Sequence, residues 1–549
     1  MIESGSNSGR KLLLSSVCQP FGEKYGDGFG TSFEGSHQLM WAQGIFRSRG
    51  TTLQWGIDFI AENLEIPTTT LHYPTMGQFI AELKKGYDYV GIAFVAQTLH
   101  KMIPMTKAVR EHAPNTKIVL GGYGTAIGVD ALKDYGDHIC QSEGVSYMRE
   151  LLGERPDTPF VQPDITQQQS IFSLRLLNEV GYIFAGLGCP NGCDFCATSH
   201  YFKRKHIYML PDGPSILQAM HRMREKHPGM DTFWLNDEDF LLNPKRGKGF
   251  LEAIRKSKLP PLSLSIFSSV KALSQYKASE LVEMGIDWIW VGFEGKRAGY
   301  AKMRGRSYED LFADLRNHGI SMMTSMIIGF DYQTPEIIEE EFEELLALRP
   351  AMCQYLIYGP AHQTPLYDRM EKEGRLLPEV FANPAAQDGF TLGFKHPHIG
   401  PAEMSAIQRR LYREEFRRLG PGILRVAEDL LLGHKNLMDH PSERVRAKAR
   451  RCGKEARSGL KIVPASKRYV SAEIGGWLDR LQQKIIDQTG PLTIKERVVQ
   501  RLAPALLLRE TLKLRLNIGQ QPEFTRKTFR MPATDLAPLF VPFTYPARG

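Results

Sequence analysis

Cysteine is scarce in this 549-residue chain: there are seven, too few and too scattered for the disulfide framework of a secreted domain. No apolar run approaches the ~18 residues that a membrane-spanning helix needs. Near the N-terminus only Leu12-Leu13-Leu14 is apolar, too short for a secretory signal. Cys18 follows Ser15-Ser16-Val17 in the manner of a lipoprotein site, but the valine before it and the missing apolar region argue against that reading. A proper G-x-G-x-x-G is also absent. Gly122-Tyr-Gly124-Thr-Ala-Ile-Gly128 has the wrong spacing and follows a late strand, which argues against a nicotinamide site. No RNA-binding motif stands out, and aromatics are not interleaved with basic residues as a base-stacking surface requires, so nucleic acid is not the expected partner.

What is present is an ordinary globular composition, 42% hydrophobic and 24% charged, in a chain long enough for two to four domains. The net charge of +8 is uneven. Residues 401–549 carry 29 Lys/Arg against 15 Asp/Glu, whereas residues 1–400 are net acidic. The basic end suggests an anionic partner, such as a membrane surface or a phosphorylated substrate, with a solvated helical face as the bland alternative. A cytoplasmic protein is expected, with a peripheral place at the inner membrane face as its variant.

Three regions follow from periodicity. In residues 1–155, short aliphatic runs at Lys11–Val17, Thr68–Tyr73, Tyr89–Ala96, Lys117–Gly122 and His138–Ser142 alternate with helical stretches. The alternation predicts a Rossmann-like or flavodoxin-like, doubly wound parallel sheet, with ligands beyond its carboxyl ends. Residues 156–180, with three prolines and a Gln-rich run, read as a linker. Over 181–398, six further strand candidates begin at Tyr182, Thr232, Leu262, Trp288, Met322 and Gln354, with helices between. Past residue 399 the strand pattern gives way to basic helices and a Pro-rich tail expected to wrap the surface. The overall class is α/β with a helical C-terminal domain.

The most specific feature is Cys189-Pro-Asn-Gly-Cys193-Asp-Phe-Cys196, three thiols at C-x3-C-x2-C spacing behind the apolar run Tyr182–Leu187. Thiolates suit iron–sulfur clusters, copper(I) and zinc. Three without a fourth leave one coordination position open, and His200 could complete a zinc knuckle instead. Cys18, Cys140, Cys353 and Cys452 stand alone and read as small buried hydrophobes.

The triplet, including Phe195, resembles the signature of the radical S-adenosylmethionine (SAM) enzymes. The resemblance implies a [4Fe–4S] cluster on Cys189, Cys193 and Cys196, with SAM chelating the open iron, and a partial (β/α)6 barrel over the second region. It also implies reductive cleavage of SAM to a 5′-deoxyadenosyl radical, with flavodoxin or ferredoxin as electron donor. Further matches lie at expected strand ends. Asn236-Asp237-Glu238-Asp239-Phe240 resembles an acidic segment of the cobalamin-type members, where Asp237 would receive SAM, although a helix-start cluster explains it too. Gly292-Phe-Glu294 resembles the family's G-x-E, whose Glu contacts SAM, and Gly329 falls where backbone approaches adenine. Tyr358–Tyr367 resembles a "P-x-x-G-T-P-L-Y" segment with Gln363 in place of the glycine.

With the triplet downstream, residues 1–155 resemble the cobalamin-binding domain of one large subfamily. That likeness gives Gly121, Gly122, Tyr123, Ser142, Glu143 and Gly144 as cobalamin contacts, while tight turns explain the glycines without any ligand. The D-x-H-x-x-G motif of other cobalamin proteins is absent, as it is in that subfamily. The long Gly-rich loop from Pro20 departs from its pattern. The function implied is cobalamin-dependent C-methylation of an unactivated carbon on a small-molecule or lipid-like substrate, for instance a polycyclic isoprenoid. Cyclisation, ring rearrangement or carbon–carbon bond formation without methyl transfer, or RNA modification, is the alternative. Trp234, Trp288, Trp290, Met322, Met323 and Met326 suit an apolar substrate or simply a barrel core. No catalytic residue beyond these is singled out.

Overall fold

The computed structural model describes residues 9–20, 41–46, 48–50, 54–171, 178–295, 297–383, 386–516, 518 and 521–530. The loop from Pro20 to Gly35 lies almost wholly outside them. Strands β1 (Leu12–Ser16), β2 (Ser48–Gly50), β3 (Thr68–His72), β4 (Tyr89–Ala93), β5 (Lys117–Gly121) and β6 (His138–Ile139) come first. Five of these are parallel neighbours in the order β3-β1-β4-β5-β6. This is the flavodoxin-like order, with its switch point between β1 and β4. The strands are aliphatic on both faces because helices cover both. Met76–Leu83 and Leu99–His112 pack on Leu13, Val90 and Ile118, while Trp55–Glu62 and Gly144–Leu152 pack on Leu12, Leu14 and Val119. Such double burial accounts for near-continuous apolar strands.

The next strands are β7 (Thr166–Ile171), β8 (Glu179–Phe184), β9 (Gly186–Leu187), β10 (Ile207–Tyr208), β11 (Thr232–Asn236), β12 (Ser263–Phe267), β13 (Ile286–Glu294), β14 (Ser321–Ile328) and β15 (Met352–Ile357). β8 and β11 to β15 pair in chain order, all parallel, giving the six β/α units of an open partial barrel. All six expected strands are present. The Gln-rich run read as linker is instead strand β7, antiparallel on the free edge of β8, with β2 beyond it. Its Gln167 accepts a hydrogen bond from Tyr182. Residue parity along the strands sorts the aromatics. Phe233, Leu235, Ile289 and Val291 are buried beneath the helices, whereas Trp234, Phe267, Trp288 and Trp290 face the barrel interior and are only half-buried. Met322 and Met326 lie in the core and Met323 packs with the tryptophans.

Helix Pro401–Leu419 packs along β15, while Gly422–Leu437 and Glu443–Ser458 close the end of the barrel where its strands begin. Lys448 Nζ donates to Leu262 O at 2.7 Å and to Asp287 Oδ2 at 2.5 Å, and Arg451 pairs with Asp231 at 2.8 Å. Arg425 donates to Pro350 O at 3.0 Å and pairs with buried Glu415. Part of the basic excess is therefore consumed inside the protein. The tail does more than wrap the surface: β16 (Thr525–Phe529) returns as an antiparallel strand on the edge of β3. Residues 531–549 lie outside the described residues.

Candidate active site

The three cysteines occupy the loop after β9, at the carboxyl end of the first barrel strand, the end where α/β barrels place their chemistry. Gly188 opens the loop at φ +81°, where an added Cβ would lie 2.4 Å from Lys205 O, so only glycine makes the turn. Hydrogen bonds fix the rest. Ser199 Oγ donates to Cys189 O at 2.6 Å and accepts from Gly192 N at 3.1 Å. Asn191 Nδ2 lies 3.3 Å from Cys189 Sγ and 3.1 Å from Asp239 Oδ2. Burial raises all three thiols, Cys189 to about 11 and Cys193 to about 12. Cys189 and Cys193 both feel the charge of Cys196. The donor set therefore fits a cationic group that stabilises thiolate. His200 Nε2 is engaged by Cys193 O at 3.0 Å.

Asp194 anchors the loop to two later strands. Tyr300 donates to its Oδ1 and Tyr358 to its Oδ2, each at 2.6 Å. Phe195 stands edge-on to both tyrosine rings, with centroids 5.5 and 5.9 Å away. Lys302 Nζ lies 5.8 Å over the Phe195 ring and pairs with Glu294. Glu294 itself is buried and sits at φ +61°, a rare conformation for a glutamate, beside an irregularity in the β13–β14 register. At the end of β14, Gln333 Oε1 accepts from Gly329 N at 2.6 Å and from Phe330 N at 2.9 Å, and Gly329 adopts φ +96°. Gln363, in the place of the expected glycine, also takes a left-handed φ of +63°.

Among the acidic residues after β11, Asp237 is fully engaged. Arg246 donates to its Oδ2 at 2.6 Å, with both side chains essentially without solvent contact, and His206 Nε2 stands 3.3 Å from Oδ1. Burial would raise its carboxyl, but His206 and Arg246 pull it below the usual carboxylate range. Arg246 also holds Leu210 O and Ala185 O. Asp239 accepts from Ser268, Ser269 and Asn191. Glu238, between them, has a buried Oε2 without a hydrogen-bond partner. Burial, then the charge of Asp237, pushes its carboxyl up to about 7, while the Gly188 N–H draws it down. Of the three acids Glu238 is the one with an unpartnered buried oxygen, whereas the sequence points to Asp237. The signal available was parity: alternation from buried Leu235 cannot tell which of three consecutive acids meets an arginine nine positions on.

The carboxyl ends of the first sheet meet this loop directly. Thr125 Oγ1 and Tyr201 Oη lie 2.7 Å apart, and Tyr201 donates to Cys140 O at 3.0 Å. The Tyr123 ring packs on Tyr201 and Phe202 at 5.2 and 6.0 Å. Burial raises its phenol, and the Glu238 charge adds to that, so Tyr123 belongs to both domains' edges. Gly121 and Gly128 face open space, where an added Cβ would meet nothing within 4 Å, and Gly122 takes φ +87°. At Gly122 an added Cβ would lie 2.5 Å from Phe94 O, so the turn after β5 packs its backbone on Phe94. Glu143 is otherwise occupied. Its carboxylate caps the helix Gly144–Leu152, accepting from Val145 N at 2.6 Å and Ser146 N at 2.8 Å. Ser142 contacts the Cys140 thiol, and Gly144 sits where a Cβ would come within 2.7 Å of Ile60, so turn packing accounts for this stretch.

Comparison with known proteins agrees with this layout. The radical SAM superfamily matches over residues 183–345. An anaerobic magnesium-protoporphyrin IX monomethyl ester cyclase of Cereibacter sphaeroides is 24% identical over 295 residues, 49% of this chain and 47% of that protein. A bacteriochlorophyllide d C-12(1)-methyltransferase of Chlorobaculum tepidum is 21% identical over 54% of this chain and 69% of its own. A hopanoid C-2 methylase of Rhodopseudomonas palustris is 24% identical over 36% of this chain and 39% of its own. The chain thus spans about half the length of the first of these relatives. In fold it is similar to TsrM, a radical SAM methyltransferase of Kitasatospora setae solved with cobalamin and a [4Fe–4S] cluster. The TM-score is 0.54 at 14% identity, covering 82% of this chain and 99% of that one. Residues 183–345 thus carry the radical SAM match, and the chain as a whole shares its fold with that methyltransferase.

Proposed function

We propose that the protein is a cobalamin-dependent radical SAM methyltransferase acting on an unactivated carbon of a small, largely apolar substrate. The observation that carries this reading is the direct contact between the Cys196–Tyr201 segment and the β5 and β6 ends of the flavodoxin-like sheet. It sets the segment that follows the thiol triplet against the glycine-rich turn after β5, which supports a shared site. Cys189, Cys193 and Cys196 would hold the [4Fe–4S] cluster, Glu238 the SAM ammonium, and Glu294 with Lys302 and Gly329 the rest of SAM. Gly121, Gly122 and Tyr123 would border cobalamin. When bound, these groups supply one-electron cleavage of SAM and methyl delivery. The chain's own part is placement and exclusion of water. Trp234, Phe267, Trp288 and Trp290 line the barrel interior, and Trp290 Nε1 donates to Ser325, which donates to Gln354. An apolar molecule with one polar handle suits that wall. A lipid-like substrate is in keeping with the hopanoid methylase relative, and flavodoxin or ferredoxin would reduce the cluster.

The cyclase relative favours a second reading, ring formation or rearrangement without methyl transfer. Anaerobic purification with cobalamin supplied, followed by iron and cobalt counts and turnover with methyl-labelled SAM, separates the two. Four irons with stoichiometric cobalt and label in the product support methyl transfer. Four irons with 5′-deoxyadenosine formed but no label in the product move the assignment to the second reading, and protein that binds zinc but no iron overturns both.

A further inference from the structure

The long helix Ile494–Arg515 is apolar on two opposite faces. One face does ordinary work: Ala503 and Leu507 are buried in the C-terminal core. Gln500 Nε2 donates to Leu460 O at 2.7 Å and fastens the same side. The opposite face points to solvent. Ile494, Val498, Leu502, Leu508, Leu512 and Leu516 are 83, 48, 64, 56, 48 and 67% exposed. At 100° per residue these six fall within about a third of a turn, a stripe six turns long interrupted by Arg501 and Arg509. Large exposed apolar stripes of this kind mark a surface that something covers.

The charges beside the stripe say what. Arg497 and Arg515 line one margin and Lys495 the other, with Arg501 within the stripe, all exposed, and none has an acidic partner among the described residues. The helix's two acids are turned away: Glu496 caps the helix and pairs with Arg457, and buried Glu510 pairs with Arg509. A second copy placed on this stripe would set cation against cation. An anionic bilayer offers both complements, acyl chains for the stripe and headgroups for its margins. No described helix is long and apolar enough to cross a membrane, and this one is cationic along its edges, so it would lie in the interface plane.

We infer that the Ile494–Arg515 face is a peripheral membrane-docking helix selective for anionic lipid. It packs on the C-terminal core through Ala503 and Leu507, so docking tethers the protein through that region. The inference stands apart from the methyl-transfer reading because binding is read without turnover.

The test is co-flotation of the full-length protein with vesicles of pure phosphatidylcholine, or of phosphatidylcholine with ~30% phosphatidylglycerol. Flotation with the anionic vesicles only is expected, reduced at high salt. Leu502→Ser with Leu508→Ser, and separately Arg497→Glu with Arg501→Glu, should each weaken it at least about tenfold. These side chains are exposed, so melting temperature and helical content should stay unchanged, and a variant that melts earlier is replaced by Leu512→Ser with Leu516→Ser. Absence of flotation, or flotation indifferent to all these substitutions, overturns the inference. So does a dimer in light scattering that the leucine variant disperses, since the face would then join two copies. Flotation that survives the helix substitutions in the full chain but is lost when residues 531–549 are removed would assign binding to that segment and would equally overturn it.

Discussion

Glu294 and Lys302 form an ion pair on the floor of the cysteine loop, with Glu294 held at φ +61°. A left-handed glutamate costs about 1–2 kcal/mol, and such strain tends to persist at functional positions. Glu294→Gly relieves that strain but strands the largely buried Lys302 ammonium, a larger cost, so a lower melting temperature is expected. SAM cleavage, followed as 5′-deoxyadenosine, should fall at least about tenfold. A variant that melts earlier and still cleaves SAM normally would make Glu294 a purely structural residue.

Asp237 and Glu238 should respond in opposite ways although they are adjacent. Asp237→Asn strands the buried Arg246 guanidinium, which costs about 3–5 kcal/mol, so loss of stability is expected before any question of binding arises. Glu238→Gln removes a carboxylate whose Oε2 has no protein partner. Its thermal melt should match the parent, while SAM binding measured by equilibrium dialysis weakens by about ten- to a hundredfold. Equal destabilisation by both changes would contradict the division of roles.

Asp194 accepts from Tyr300 and Tyr358 at once, tying the cysteine loop to the fourth and sixth barrel units. Asp194→Ala leaves two partly buried phenols without their acceptor, at about 1–3 kcal/mol each. Lower iron incorporation on reconstitution is expected, with Tyr300→Phe milder than Asp194→Ala. Full iron occupancy in Asp194→Ala would show that the loop holds its shape without the clamp.

The returning tail strand carries a pH dependence. Glu82, nearly buried, accepts from Arg526, Lys85 and Tyr87. Burial raises its carboxyl, but these partners outweigh it and lower it to about 2, against an ordinary value of 4.5. A lowered carboxyl contributes stability above its unfolded value and loses it as pH falls through the folded one. Arg526→Ala should thus reduce stability by about 1.5–3 kcal/mol near neutrality. The gap between parent and variant should close between pH 4.5 and 2, as seen in hydrogen exchange of the β3 amides. A gap that persists at pH 2 would mean that backbone pairing, and not the ion pair, holds the strand.

The chemistry of the cysteine loop was legible in the chain because ligand spacing is local: eight consecutive residues define it. The six barrel strands were legible for the same reason, since period-two burial against period-3.6 helices is written in neighbouring residues. The aromatics at Trp234, Trp288 and Trp290 were visible too, but whether they faced core or lumen depended on which face the helices cover. Tertiary structure alone decided the rest. It chose Glu238 over Asp237 as the unengaged carboxylate by delivering Arg246 to one of them. It turned Glu143 from a ligand candidate into a helix cap, and a Gln-rich linker into strand β7. It consumed Lys448, Arg451 and Arg425 at the barrel floor. It also joined Arg526 to Glu82 across 444 residues of chain. Partners so distant leave no mark in local spacing, because each side chain's environment is set by whichever surface folding brings against it.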